Sequence, residues 1–458
     1  MGRSLFSRRR EAAGVKDLTQ GSIARHLIEL SSFLAVSMLL QTLYFLVDLY
    51  FVATLGGPAI AGVGLSGNLM MVMMALTQML GVGTTSLIAQ AAGRRDREDA
   101  QAIFDQSCLL SVLIGAVVLV GGIVLRAPYC RWLAAGEATF NAASQYMLWL
   151  IPSFALQFAL ISMGSALRAT GVVKPGMIVQ ALTVVLNAVL APVLILGWGT
   201  GYPMGTAGAG LATLIAVGAG VLALSAYFVS TSTFVRIRFG GWKVRFDVWK
   251  RMLSIGLPAG GEFVMIATYT MLVYWILRDR GADAQAGFGI GVRLMQSLFL
   301  PVVAVSFAAS PLAGQNYGAR QFDRVRETFR VATLMAAAIM LVMTAICHIS
   351  PDAMVRAFAH DEAVIAHGSE YLRIVSWGFL AYGLSYTCSG MFQAIGNAWP
   401  SLAGSVLRVA VFAVVGIGIS RRPGFELSHL WYAAAAVGAM QCAVNLLLLR
   451  REFSRRLI

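Results

Sequence analysis

Apolar residues run through this chain in long blocks, each closed by a short polar or basic stretch. An apolar run must reach roughly 20 residues to cross a hydrocarbon core about 30 Å thick. Read on that rule, the pattern predicts twelve spans, at about 28–54, 61–91, 104–127, 140–169, 175–197, 205–230, 249–278, 284–315, 327–349, 363–394, 400–419 and 429–449. Six lie on each side of a basic stretch. The predicted organisation is a tail over 1–27, a six-helix bundle over 28–230, a basic linker over 231–248, a second six-helix bundle over 249–449 and a basic tail over 450–458.

The two halves repeat each other at an offset of 225 residues without a gap. Gln90 falls on Gln315, Gly93 on Gly318, Arg95 on Arg320, Tyr146 on Tyr371, Gly171 on Gly396 and Pro175 on Pro400. An even number of spans per half makes the halves parallel, related by an axis along the membrane normal. The expected fold class is therefore all-α integral membrane: twelve transmembrane helices in two six-helix bundles related by a parallel pseudo-two-fold repeat. Such symmetry points to a transporter. The glycines of Gln90-Ala-Ala-Gly93 and Gln315-Asn-Tyr-Gly318 are expected to close their helices in the left-handed conformation. Gly171 with Pro175 and Gly396 with Pro400 read as helix stop followed by helix start.

Composition agrees with the pattern: hydrophobic residues make up 58% of the chain and charged residues 12%, about half the share usual in soluble domains. The net charge of +14 changes meaning once it is located. Basic residues crowd the N-terminal tail, the stretch Arg94–Arg97, the linker with the start of span seven (Arg236, Arg238, Lys243, Arg245, Lys250, Arg251), the run Arg320–Arg330 and the C-terminal tail. The opposite loops carry few. The positive-inside rule then places both termini in the cytoplasm of a multi-pass protein of the cell inner membrane. Anionic lipid headgroups, not nucleic acid, are the expected partners of this charge. No secretory leader is expected, because the first apolar stretch is too long for one and reads as span one.

Cys108, Cys130, Cys347, Cys388 and Cys442 are scattered and form no CxxC pair, so no zinc or redox motif is expected. The loop His360, Asp361, Glu362, His367 reads as solvated rather than metal-binding. No nucleophile elbow, phosphate loop or Walker motif is present, so neither enzyme chemistry nor ATP-driven transport is expected.

Two acids lie inside spans: Asp48 in the first and Glu262 in the seventh. An ionised carboxylate at such depth costs on the order of 3 kcal/mol on insertion scales, so it faces a polar space, pairs with a cation or stays protonated. Arg293, Arg373 and Arg408 are the basic residues placed to pair with them. Under the 225-residue shift Asp48 meets Val273, Asn187 meets Phe412 and Thr213 meets Gly438. These three oxygen-bearing groups of the first half thus face apolar or absent counterparts in the second. Asp, Asn and Thr together suit a hard monovalent cation or a proton with water, and Asp48, Asn187 and Thr213 are the candidate coupling-ion residues, with Na⁺ at Asp48 if the ion is sodium. On the substrate side the candidates are Glu262, Tyr44, Met73, Met265 and Tyr269, the methionines offering an adaptable surface when they do not simply pack.

With these residues in view the chain resembles the multidrug and toxic compound extrusion (MATE) transporters over essentially its whole length. The resemblance rests on the six-plus-six layout, Val47-Asp48 of span one, Gly256-Leu-Pro with Glu262 of span seven, and the turn Ala313-Gly-Gln-Asn-Tyr-Gly318-Ala. It implies secondary antiport, in which entry of H⁺ or Na⁺ drives export of cationic or amphipathic drugs, with no cofactor beyond the coupling ion and the protein working as a monomer. In that family the first-span aspartate shares a cation site with an asparagine and a second aspartate on span five and a threonine on span six. Asp48, Asn187 and Thr213 match, whereas Ala191 stands where the second aspartate would be, and Leu384 replaces the span-ten acid of another branch. A lipid-linked precursor flippase of the same broad superfamily is the alternative function.

Overall fold

The computed structural model describes residues 16–231, 233–238 and 243–457. The tail residues 1–15 and linker residues 232 and 239–242 fall outside the described residues. The fold is all-helical. In chain order the helices are α1 (Ile23–Ala53), α2 (Gly57–Gly64), α3 (Ser66–Arg94), α4 (Arg97–Leu133), α5 (Glu137–Ala169), α6 (Lys174–Leu196), α7 (Thr206–Ser230), α8 (Phe246–Leu277), α9 (Ala282–Gly318), α10 (Phe322–Ile349), α11 (Pro351–Arg356), α12 (Glu362–Val375), α13 (Phe379–Ala394), α14 (Trp399–Ser420) and α15 (Leu427–Arg456).

Eleven of the described helical stretches are long and apolar enough to cross a membrane by themselves. The twelfth expected span, 363–394, is α12 and α13 joined by a tight turn at Ser376–Gly378. The interruption has a local cause. Thr344 of α10 donates its hydroxyl to the Ser376 carbonyl at 3.0 Å, while Ser376 turns its own hydroxyl back to the Arg373 carbonyl at 3.0 Å. Side chains thus take over carbonyls that an unbroken helix would satisfy from its backbone. In the first half the corresponding stretch of α5 carries Pro152 and stays continuous. Span two divides instead, between α2 and α3 at Leu65.

The repeat is written into the backbone. Helices start at Gly57 and Ala282, Arg97 and Phe322, Glu137 and Glu362, and Lys174 and Trp399, each pair 225 residues apart. Gly171 (φ 74°) and Gly396 (φ 78°) both take the left-handed conformation expected of them. The glycines of the other turn do not: Gly93 and Gly318 lie within or at the end of their helices, and the left-handed residues are Arg95 (φ 62°) and Arg320 (φ 58°). These are the two non-glycine residues with positive φ among those described. Close packing repeats as well. A Cβ on Gly62 would stand 2.8 Å from the amide nitrogen of Ala143, and one on its counterpart Gly287 would stand 2.8 Å from that of Gly368. Small residues let helix backbones approach at these points.

Two compact units emerge. One contains Ser32–Gly260 and the other Gly21–Ser31 with Gly261–Ile458, so the division runs through α1 and α8 rather than through the linker. In the first unit α5 is central, packing on α2, α3, α4 and α7. The described part of the linker is tied down along α4. Gln101 donates to the Arg236 carbonyl (2.7 Å) and accepts from the Arg236 amide (2.8 Å), and Gln106 does the same with Lys243 and Arg245 (2.9 and 3.0 Å). Arg251 and Arg94 meet on Asp99, fixing the start of α8 to the start of α4. In the second unit the core is aromatic: Phe288 stacks on Trp431 (centroids 5.6 Å apart) and Tyr371 sets its edge against both.

Candidate ion and substrate sites within the helices

Asp48 sits on α1 and is 7% exposed. Its Oδ2 accepts a hydrogen bond from the Tyr146 hydroxyl of α5 at 3.3 Å, and its Oδ1 has no partner. Asn187 of α6 is fully buried; its Nδ2 donates to the Tyr44 hydroxyl at 3.2 Å, while its Oδ1 has no partner. Thr213 of α7 lies beside the Tyr44 hydroxyl, but no well-formed hydrogen bond joins its Oγ1 to that or any other group. The three expected coupling-ion residues are therefore drawn together through two tyrosines. Each presents one buried, unpaired oxygen.

Buried polar atoms are seldom left without a partner, and each orphan costs roughly 1–3 kcal/mol. Three orphaned oxygens on three neighbouring helices, one from a carboxylate, form the donor set that a hard monovalent cation or a hydrated proton takes. The residues present fit such an ion. Ala191, at the position where the resemblance looked for a second acid, is fully buried among Val52, Tyr146, Leu150 and Ala209, so an apolar wall closes that side.

Tyr44, expected on the substrate side, also joins this polar cluster through its bond to Asn187. Tyr146 was missed by the sequence reading. A tyrosine within an apolar helix gives no sign of the group it will meet, although its repeat partner Tyr371 marks the position as shared.

Glu262 lies on α8 in the second unit. Ser389 of α13 donates to its two carboxyl oxygens at 3.0 and 2.9 Å, and Gln393 donates to Ser389 at 3.2 Å. Ser401 of α14 also adjoins the carboxyl. Hydroxyls thus surround Glu262, and among the described residues no salt bridge joins it to Arg293, Arg373 or Arg408. Of the remaining substrate candidates, Met73 is a buried residue of α3 in the first unit, while Met265 and Tyr269 are half-buried on α8 in the second. Tyr269 packs on Phe412 (4.7 Å between centroids) and lies under the Arg408 guanidinium. The five cysteines are free. No cluster of metal-ligating side chains occurs among the described residues, the His360 loop included.

Two segments of the chain, 34–193 and 258–417, match the MatE family, once in each half of the repeat. Curated proteins similar in sequence include the probable multidrug resistance protein YoeA of Bacillus subtilis, 25% identical over 86% of this chain and 85% of its own. The probable multidrug resistance protein NorM of Thermotoga maritima is 26% identical, over 83% and 82%. The multidrug export protein MepA of Staphylococcus aureus is 23% identical, over 83% of each. Among solved structures, a MATE protein in complex with MaL6 superposes with a TM-score of 0.89 at 24% identity, covering 96% of this chain and 98% of that one. A MOP superfamily transporter from Pyrococcus furiosus gives 0.89 at 24%, covering 95% and 97%. At that identity the structures establish the fold.

Proposed function

Because the chain belongs to the MatE family, a family of multi-pass membrane transporters, we propose that it exports cationic or amphipathic drugs in exchange for H⁺ or Na⁺. The relatives described as multidrug resistance and export proteins support the substrate class and do not favour the flippase alternative. The observation that carries the coupling is the set of unpaired oxygens on Asp48, Asn187 and Thr213. Asp48 supplies the charge of the ion site, Asn187 and Thr213 supply neutral ligands, and Tyr44 and Tyr146 orient the three. Glu262, held by Ser389, supplies the negative group that attracts a cationic substrate in the second half.

The two fluxes are linked if each ligand binds one conformational state better than the other, since only differential affinity shifts such an equilibrium. The protein works as a monomer in the inner membrane, with both termini in the cytoplasm and its basic stretches against anionic headgroups.

The test is ethidium movement in proteoliposomes under a Na⁺ gradient and, separately, under a pH gradient. One gradient drives export by the wild type, and Asp48→Asn abolishes that export while inserting at normal levels. Normal export by Asp48→Asn, or no movement under either gradient, removes the proposal.

A further inference from the structure

Arg408 is a cation set within a membrane-spanning helix and left without an acid. It stands ten residues into α14 and is half-buried. No carboxylate among the described residues pairs with it. Its guanidinium carbon lies 4.4 Å from the centroid of the Tyr269 ring and 5.0 Å from that of Tyr382, and Tyr386 also borders the charge. Aromatic faces stabilise a guanidinium, yet they leave most of its five N–H donors free to form the planar fork that matches a carboxylate.

The repeat gives this arrangement its meaning. Tyr269 and Tyr371 stand 225 residues after Tyr44 and Tyr146, the two tyrosines that frame Asp48. Tyr269, at the repeat position of Tyr44, thus lies against a cation in the second half, while Tyr371 turns its hydroxyl to Met295. Where the first half places Asp48 and Asn187, the second places Val273 and Phe412, both fully buried and apolar. Among the described residues no carboxylate stands beside Arg408 as Asp48 stands beside Tyr146.

We propose that Arg408, boxed by Tyr269, Tyr382 and Tyr386, is a binding site for the carboxylate of an aromatic, amphipathic substrate. Glu262 lies seven residues before Tyr269 on α8, which is two helical turns or roughly 10 Å. The second half therefore offers an acid and a cation at a spacing that suits a zwitterion bearing an amine at one end and a carboxylate at the other. The amine's place rests on the role given to Glu262 above; the carboxylate's place does not, and the experiment separates them by reading binding rather than transport.

The probes are norfloxacin, a zwitterion, and its ethyl ester, which keeps the rings and amine but lacks the ionised carboxylate. Their dissociation constants are measured by tryptophan fluorescence on the purified full-length protein. A charge-assisted pair contributes roughly 1.5–3 kcal/mol, so wild type binds the acid at least about tenfold more tightly than the ester. Arg408→Gln removes that preference by weakening the acid alone, and Arg408→Lys retains part of it. Ethidium, a cation without a carboxylate, binds all three proteins alike and confirms that they are folded. The site is overturned if wild type does not distinguish acid from ester, if it binds neither, if Arg408→Gln keeps the preference, or if that variant weakens acid and ester equally. A preserved acid preference in a protein that moves no ethidium would leave this site standing and remove the export reading.

Discussion

Thr213→Val separates an oxygen kept for an ion from one kept for structure. Thr213 is 7% exposed and its Oγ1 has no hydrogen-bond partner. A buried unpaired hydroxyl costs roughly 1–3 kcal/mol, and valine fills nearly the same shape without it. The ion-free variant is therefore expected to be more stable than wild type by about 1–2 kcal/mol. For a chain of 458 residues that corresponds to a rise in melting temperature of about 1–2 °C. The ion-bound comparison runs the other way. An ion at 100 times its dissociation constant stabilises the folded protein by about 2.7 kcal/mol. Loss of one neutral ligand that weakens binding about tenfold halves that gain to about 1.4 kcal/mol. Thermal unfolding in detergent, with Na⁺ titrated against choline, reads both effects. The reasoning is refuted if Thr213→Val is less stable than wild type without Na⁺, which would mean that the hydroxyl is already satisfied. It is refuted equally if Na⁺ stabilises the wild type and stabilises the variant by the same amount.

Ser389→Ala deletes the hydroxyl that bonds both Glu262 oxygens, and ethidium export is expected to fall about tenfold, close to the level of Glu262→Gln; unchanged export would dissociate Ser389 from Glu262. Gly256→Ala drives a methyl group into the Met79 carbonyl oxygen across the α3–α8 contact, and is expected to cost about 1–3 kcal/mol, seen as a lower melting temperature. Arg95→Gly and Arg320→Gly relieve left-handed backbone at equivalent turns. The two are expected to change stability in the same direction and by similar amounts, within about 1 kcal/mol; opposite signs would show that the turns are held by different forces.

Much of this architecture was legible in the sequence because two signals depend on chain order alone. Apolar block length gave the spans, and the 225-residue offset recurs in the helix starts and in the left-handed pair Gly171 and Gly396. Asp48, Asn187 and Thr213 were legible as polar groups set in apolar surroundings where the other half had none. What was hidden depends on contacts between distant segments. The break at Ser376–Gly378 follows from a hydroxyl on another helix, and the place of Tyr146 beside Asp48 follows from how α1 meets α5. The turn after α3 was misread for a different reason: Gly93 is the residue most able to turn left-handed, but the chain spends that conformation on Arg95, two positions later.

The repeat also limits how the ligand set of one half could be carried into the other. Val273→Asp, Phe412→Asn and Gly438→Thr would transplant the first site into the second. The third step meets Tyr382, whose ring lies 2.6 Å from where a Cβ on Gly438 would be; the residue at the Tyr382 position in the first half is Gln157. Any mutational path between the two chemistries must therefore change position 382 before, or together with, position 438. While the Tyr382 ring stands there, a threonine at position 438 is excluded, so the second half cannot take on the first half's ligand set by changing positions 273, 412 and 438 alone.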